Sequence, residues 1–175
     1  MALRSQQLEK LEALGDASRF AEQMRALIPK CPLLENFSAA EVQLLAQFMQ
    51  VYRAEPRAEI IREGEGGDFM LMVLEGCVEV HKRDRWNTPQ LLASVDPGRT
   101  LGEMSMIDGE PRFATCIATD MTTFAVLTRD AMANIILEKP SLGAKILIKL
   151  VTMLSQRLRQ TSARLMQYME RPLIL

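Results

Sequence analysis

Between residues 5 and 50 the apolar positions recur mostly three and four apart, at Leu8, Leu11, Leu14, Phe20, Met24 and Leu27. That is the spacing of one helix face. A further helix is predicted from Ser38, with Glu41 three residues on in capping-box register and Leu44, Leu45 and Phe48 on its apolar side. From 51 to 128 the pattern changes. Short β-rich runs, among them FMLMVLEG, CVEVHK, FATCIA and TTFAVLT, alternate with turn signals at 64–67, at Gly76 and at Pro97-Gly98. Val78 and Val80 show the alternation of a half-buried strand. Nothing helical fits between these runs, so parallel β-α-β units are not expected.

Helical spacing returns at 129. Asp130 is a candidate cap for a short helix, and Pro140 ends that helix and opens a longer one over 141–170. Along it Leu147, Val151, Leu154, Leu158, Thr161, Leu165 and Tyr168 follow steps of four and three, a heptad seam with Thr161 as the polar member inside it. At 1.5 Å per residue this helix is about 45 Å long. A small β-domain cannot cover that length, so the far part is expected to meet a second copy of the chain; packing along its own domain is the alternative. The expected fold is α+β: an antiparallel β-roll or jelly-roll barrel flanked by N-terminal helices and a long C-terminal helix. Its parts are an N-terminal helical segment (1–30), the roll with its leading helix (31–130) and the C-terminal helices (131–175).

Composition narrows the function classes. At 175 residues with 48% hydrophobic and 25% charged content, the chain suits one globular domain with a real core. A net charge of −1 gives no global attraction to nucleic acid. No run approaches the ~20 apolar residues of a membrane span, and MALRSQQLEKLEALGD lacks the apolar stretch of a secretion signal, so a cytoplasmic location is expected. Cys31, Cys77 and Cys116 match no zinc or redox spacing and read as small buried hydrophobes. The single histidine, His81, leaves no material for a triad or a histidine metal site, so neither an enzyme nor a metal cofactor is expected.

The candidate chemistry lies in LGEMSMIDGEPRFATCIA, residues 101–118. Glu103 and Arg112 each stand in apolar company there. A buried charge must find a partner, so one reading is a structural Glu103–Arg112 ion pair. The other reading is a receptor. Gly102 lets the backbone approach a ligand, the N–H groups at the start of one helical turn over 104–107 favour an anion, and Arg112 offers a planar fork suited to phosphate. Glu103, acceptor-only when ionised, wants hydroxyl or N–H donors. An anion receptor beside a hydroxyl receptor describes a sugar-phosphate pocket, and a cyclic nucleotide presents that pair of groups.

GEMSMIDGEPRFAT closely resembles the phosphate-binding cassette of cyclic nucleotide-binding domains. IIREGEGGDFMLMVLEGCVEV is similar to that family's glycine-rich hairpin, and FAVLTRDAMANIILEKPSLGAKILIKLVTMLSQRLRQTS to its last strand and paired helices. The resemblance covers roughly residues 30–165 and implies a role for each matching position. Gly102 and Glu103 would meet the ribose, Arg112 the cyclic phosphate, and the N–H groups of Met104, Ser105 and Ala114 would help hold it. RLRQTS resembles the segment with which the catabolite activator protein reads adenine across its dimer, so Thr161 and the partner copy's Ser162 would meet the base, with Arg157 one turn earlier. Phe113 stands where the family usually has a small or hydroxyl residue, and Arg57 where it usually has glycine.

The resemblance therefore implies a bacterial-type cyclic nucleotide sensor with cAMP as ligand, or cGMP or cyclic di-GMP. It would be a homodimer through helix 141–170, which also closes over the base. Pro172 and the short remainder after Leu165 leave no helix-turn-helix, so output would pass to an unidentified protein partner, with no nucleic acid or membrane involved. The alternative is the same fold with a repurposed or empty pocket, acting as a dimerisation or scaffold module.

Overall fold

The computed structural model describes residues 7–170. The tail that carries Arg171 and Pro172 lies outside the described residues. Among the described residues nine strands form two sheets with every pairing antiparallel. The strands are β1 (Glu12–Asp16), β2 (Gln50–Ala54), β3 (Glu59–Ile61), β4 (Phe69–Glu75), β5 (Val78–Arg83), β6 (Pro89–Val95), β7 (Thr100–Leu101), β8 (Thr115–Ala118) and β9 (Thr122–Thr128). One sheet runs β1-β2-β9-β4-β7 and the other β3-β8-β5-β6. The helices are α1 (Ala21–Ala26), α2 (Ala39–Ala46), α3 (Glu103–Asp108), α4 (Arg129–Glu138) and α5 (Pro140–Met169). This is the α+β roll with flanking helices that the pattern predicts.

The first sheet separates two cores. Along β4, Phe69, Leu71 and Val73 face the space between the sheets, while Met70, Met72 and Leu74 face the helices. Along β9, Phe124 and Val126 turn inward while Ala125 and Leu127 turn to the helices. Successive side chains of a strand point to opposite faces. Both faces are covered here, so FMLMVLE reads as an unbroken apolar run rather than an alternation.

Three expectations need correction. The Leu8–Leu11–Leu14 spacing does not make a continuous helix. Leu8–Lys10 is one 3₁₀ turn, and β1 follows, pairing with β2 in the register Glu12↔Arg53 to Asp16↔Gln50. Pairing at the sheet edge overrides a weak helical periodicity. The cap of α4 is Thr128, whose hydroxyl accepts from Ala131 N at 3.1 Å; Asp130 sits in the first turn instead. The long helix begins at Pro140, where a missing N–H costs nothing. The capping box of α2 is present, with Ser38 N donating to Glu41 at 2.7 Å and Glu41 N to Ser38 at 3.2 Å.

Helix α5 carries two apolar faces. Leu142, Gly143, Ile146, Leu150 and Met153 are buried against the roll and α4. Lys145 and Lys149 fasten the same stretch to Glu41 and Glu35, at 2.8 and 2.7 Å. Beyond Met153 the helix is exposed, apart from half-buried Leu154, and Leu158 reaches 68% exposure. No helix of the described residues is long and apolar enough to cross a membrane.

Candidate functional site

Strand β7 ends at Leu101, and Gly102 turns the chain into α3 with φ of +83°. A β-carbon there would lie 2.7 Å from Arg112 Nη1 and 2.9 Å from Phe69 O, so neither the turn nor the packing admits a side chain. The turn aims Glu103, the first residue of α3, inward. Arg112 comes back to the same place from the loop before β8. A cavity of about 120 Å³ forms between them. It is lined by Gly102, Glu103, Met104, Ser105, Arg112, Phe113, Ala114 and Arg157, with Ile61, Val80, Leu101 and Cys116 as its apolar wall. Eight of the ten sequence-predicted site residues thus share one cavity. Thr161 and Ser162 are not in its lining; both are exposed on α5, past the last turn that meets the roll.

Arg112 is 3% exposed. Its guanidinium carbon lies 4.3 Å from the centroid of the Phe69 ring, a cation–π contact. Nη1 donates to Phe69 O at 2.8 Å and to Gly102 O at 3.1 Å. Nε and Nη2 are buried and have no hydrogen-bond partner among the described residues. Burial pulls this guanidinium below its ordinary pKa, against the opposing influence of Cys116, Asp68 and Glu103. Arginine starts so high that it remains a cation. Burial also pushes the Cys116 thiol up to about 12, which removes it as a nucleophile.

Glu103 is 2% exposed, and its partner is not Arg112. The fork of Arg157 meets it instead, Nη1 donating to Oε2 at 3.1 Å and Nη2 standing 3.0 Å from Oε1. Arg157 Nη2 also donates to Thr100 O at 3.1 Å, and the Thr100 hydroxyl donates to Glu103 Oε1. The structural Glu103–Arg112 pair considered from sequence is therefore not formed. Each charge has its own partners, and both still face one cavity.

Sequence reasoning missed three residues around this site. Thr100, buried in β7, orients the carboxylate; a threonine three residues before Glu103 was the available signal. Arg129 holds the far end of α3, its Nε donating to Met106 O and its Nη2 to Ser105 O, both at 2.7 Å. Lys82 stands over Phe113, its Nζ 4.7 Å from the ring centroid and 2.5 Å from Glu63. Phe113 itself is 57% exposed at the cavity mouth. A larger open hollow of about 720 Å³ lies elsewhere, between Lys30, Glu35, Asp96 and Arg99. Its charges balance and every one of them is exposed, so it lacks the desolvated groups that make the smaller cavity chemically distinctive.

The profile of the cyclic nucleotide-binding domain family matches residues 52–139. A crystal structure of a cyclic nucleotide-binding domain from Methylobacillus flagellatus has a TM-score of 0.84 and 37% identity, covering 98% of this chain and 96% of that one. The catabolite activator protein of Thermus thermophilus has a TM-score of 0.73 and 26% identity, over 78% of this chain and 62% of that one. The CRP-like cAMP-activated global transcriptional regulator of Mycobacterium tuberculosis is 22% identical over 139 residues, 79% of this chain. The chain spans about 60% of the length of the curated relatives it matches first. With half of its length matched by the family profile, and the cassette folded around Glu103 and Arg112, the chain belongs to the cyclic nucleotide-binding domain family.

Proposed function

We propose that this chain is a cyclic nucleotide sensor, with cAMP as its ligand, that signals through α5. The observation that carries the reading is the state of Arg112. It is a buried cation with unspent donors on Nε and Nη2, sharing a cavity with a buried carboxylate. Leaving buried donors unmade costs about 1–3 kcal/mol apiece. A singly charged cyclic phosphate would satisfy them, and Glu103 would accept from the ribose 2′-hydroxyl. Met104, Ser105 and Ala114 line the same cavity, and their N–H groups would share the phosphate. The names of the Thermus and Mycobacterium relatives support cAMP as the first ligand to test.

Binding would shift the population of α5 orientations. The exposed seam at Leu147, Val151, Leu158 and Leu165 is suited to a second copy of the chain, which makes a homodimer the natural carrier of that shift. Thr161 and Ser162 lie on this part of α5 and would meet the base once the dimer and lid form. The output is contact with another protein.

A second reading keeps the fold and changes the ligand. Phe113 narrows the mouth, and 120 Å³ is below the ~300 Å³ of common small-molecule sites, which favours a repurposed or empty pocket in a scaffold module. Calorimetric titration of nucleotide-stripped protein with cAMP, cGMP and cyclic di-GMP separates the two. Micromolar binding of one of them, lost in Arg112→Ala with the fold intact, supports the sensor. Absence of heat from all three in well-folded protein supports the scaffold.

A further inference from the structure

We propose that the projecting end of the β5–β6 hairpin, with Trp86 at its tip, is a docking surface for an extended acidic segment of a partner protein, which adds as a strand to β6. The inference rests on the reading that the output is contact with another protein, and it names the chemistry of that partner.

The hairpin outruns its sheet. β8 pairs with β5 only from Val78↔Ala118 to His81↔Thr115, whereas β6 continues along β5 to Arg83↔Pro89. Beyond His81 the hairpin is therefore a two-stranded ribbon, an arrangement that is marginal in water when nothing else holds it. This one is held by its turn. The Asp84 carboxylate accepts from Trp86 N at 2.9 Å and from Thr88 N and Gln90 Nε2, both at 3.0 Å. Arg83 Nη1 donates to Asn87 Oδ1 at 3.0 Å. At the root of the ribbon the N–H of Arg83 donates to the Glu63 carboxylate at 3.0 Å.

The ordered ribbon displays groups that water does not favour. Trp86 is 70% exposed, and Leu91 and Leu92 are half exposed. The Arg85 guanidinium carbon lies 3.9 Å from the centroid of the Trp86 ring, a cation–π contact that fixes both groups at the tip. Arg83 and Arg85 are exposed, and neither forms an ion pair among the described residues. Asp84, the acid between them, has its oxygens engaged inside the turn. The result is a cationic surface with an aromatic centre, and tryptophan and arginine are the side chains that dominate interface energies.

Strand β6 supplies the mode of docking. It is the outer strand of β3-β8-β5-β6, and six of its seven residues are exposed. An open edge offers unpaired N–H and C=O groups to an extended segment. Leu91 and Leu92 seat that segment's apolar side chains, and Arg83 and Arg85 select carboxylates in it. Pro89 and the bulge opposite Val80 and His81 interrupt the edge, a device that discourages indiscriminate pairing between identical edges. The occupant is therefore a matched acidic segment rather than a second β6.

The test uses the full chain, in which Trp86 is the only tryptophan and reports its own surroundings. A phage-displayed library of random dodecapeptides is selected on the native chain and counter-selected on the variant carrying Arg83→Glu, Arg85→Glu and Trp86→Ser. Enriched peptides should interleave Asp or Glu with large apolar residues. A synthetic copy of the most enriched peptide should move Trp86 emission to shorter wavelength and slow amide exchange over 89–95. The variant should bind that peptide about tenfold or more weakly, with an unchanged melting temperature. If the triple variant does not fold, Arg85→Glu alone serves the same comparison. No enrichment, enrichment without acidic residues, or binding that leaves Trp86 emission and exchange over 89–95 unchanged overturns the proposal. A Trp86 shift with phosphatidylglycerol vesicles but not with peptide also overturns it and assigns the ribbon to a lipid surface. The three substituted side chains are outside the cavity lining, so cAMP calorimetry on the same proteins tests the sensor reading separately.

Discussion

The backbone of Gly67 lies so close to the Arg112 guanidinium that a β-carbon on it would sit 1.9 Å from Nε and 2.2 Å from Cζ. The glycine-rich turn before β4 thus helps to hold Arg112 in place, although it contributes no side chain. Gly67→Ala introduces no left-handed strain, since Gly67 is not among the positive-φ residues, so its effect is steric. The methyl must push Arg112 out of its place over Phe69. We expect nucleotide affinity to fall tenfold or more, and stability by about 1–3 kcal/mol, the usual cost of overpacking. Calorimetry and thermal melting on the same sample measure the two effects. Native affinity in Gly67→Ala would mean that Arg112 is not held in register by this turn.

Arg57 adopts φ of +70° in the turn before β3, and its N–H donates to Ala118 O at 2.8 Å. A side chain in the left-handed region costs roughly 1–2 kcal/mol, and glycine gives back about 0.5–1 kcal/mol of that in unfolded-chain entropy. Arg57→Gly should therefore raise the melting temperature by about 2–4 °C, as about 1 kcal/mol does in a domain of this size. Arg57 is not part of the cavity lining, so ligand affinity should stay the same. A lower melting temperature would show that the Arg57 side chain makes contacts worth more than its backbone strain.

Much of this was legible in the sequence, for identifiable reasons. Turn residues and β-branched runs carry the strands, and the unbroken apolar run of β4 carries the two-sided burial. Glu103 and Arg112 stood out because a charge amid apolar neighbours has few innocent explanations. What escaped was long-range. Arg157 was placed near the pocket by the resemblance, but its pairing with Glu103 was not foreseen: the two lie 54 residues apart, and no local spacing announces that contact. β1 escaped because its pairing with Gln50–Arg53 decides its conformation while its own leucine spacing points to helix. Thr128 outranked Asp130 as a cap because the end of β9, fixed by the sheet, sets where α4 starts.

Leu158 lies on the outer seam of α5, 68% exposed and on the far side of Met153 from the core. A substitution at such a position changes the stability of a monomer by no more than about 0.5 kcal/mol. In a dimer seam a lysine at a core position is a buried, unpaired charge. The native chain should sediment as a dimer and Leu158→Lys as a monomer with the same helix content by circular dichroism. Adding Leu154→Lys should complete the dissociation. A native chain that sediments as a monomer at tens of micromolar would leave α5 as a free arm and move its output to a different partner.

Phe113 decides between the two readings of the pocket. Its ring is held in place from one side, by Lys82, which is itself pinned by Glu63. Most of its surface remains exposed at the cavity mouth. Since the cavity is too small for more than part of a nucleotide, a nucleotide bound there would project its base past this ring. Stacking of a base on an aromatic side chain is worth about 1–3 kcal/mol and is tolerant of base identity. Phe113→Ala should weaken cAMP and cGMP alike, by about ten- to a hundredfold, with little change in melting temperature because the ring is not buried. Lys82→Met should weaken both less, by loosening the ring. The opposite result is equally informative. If Phe113→Ala or Phe113→Thr binds cyclic nucleotides more tightly than the native chain, the ring is a screen, and the cassette behind it serves a smaller or different ligand.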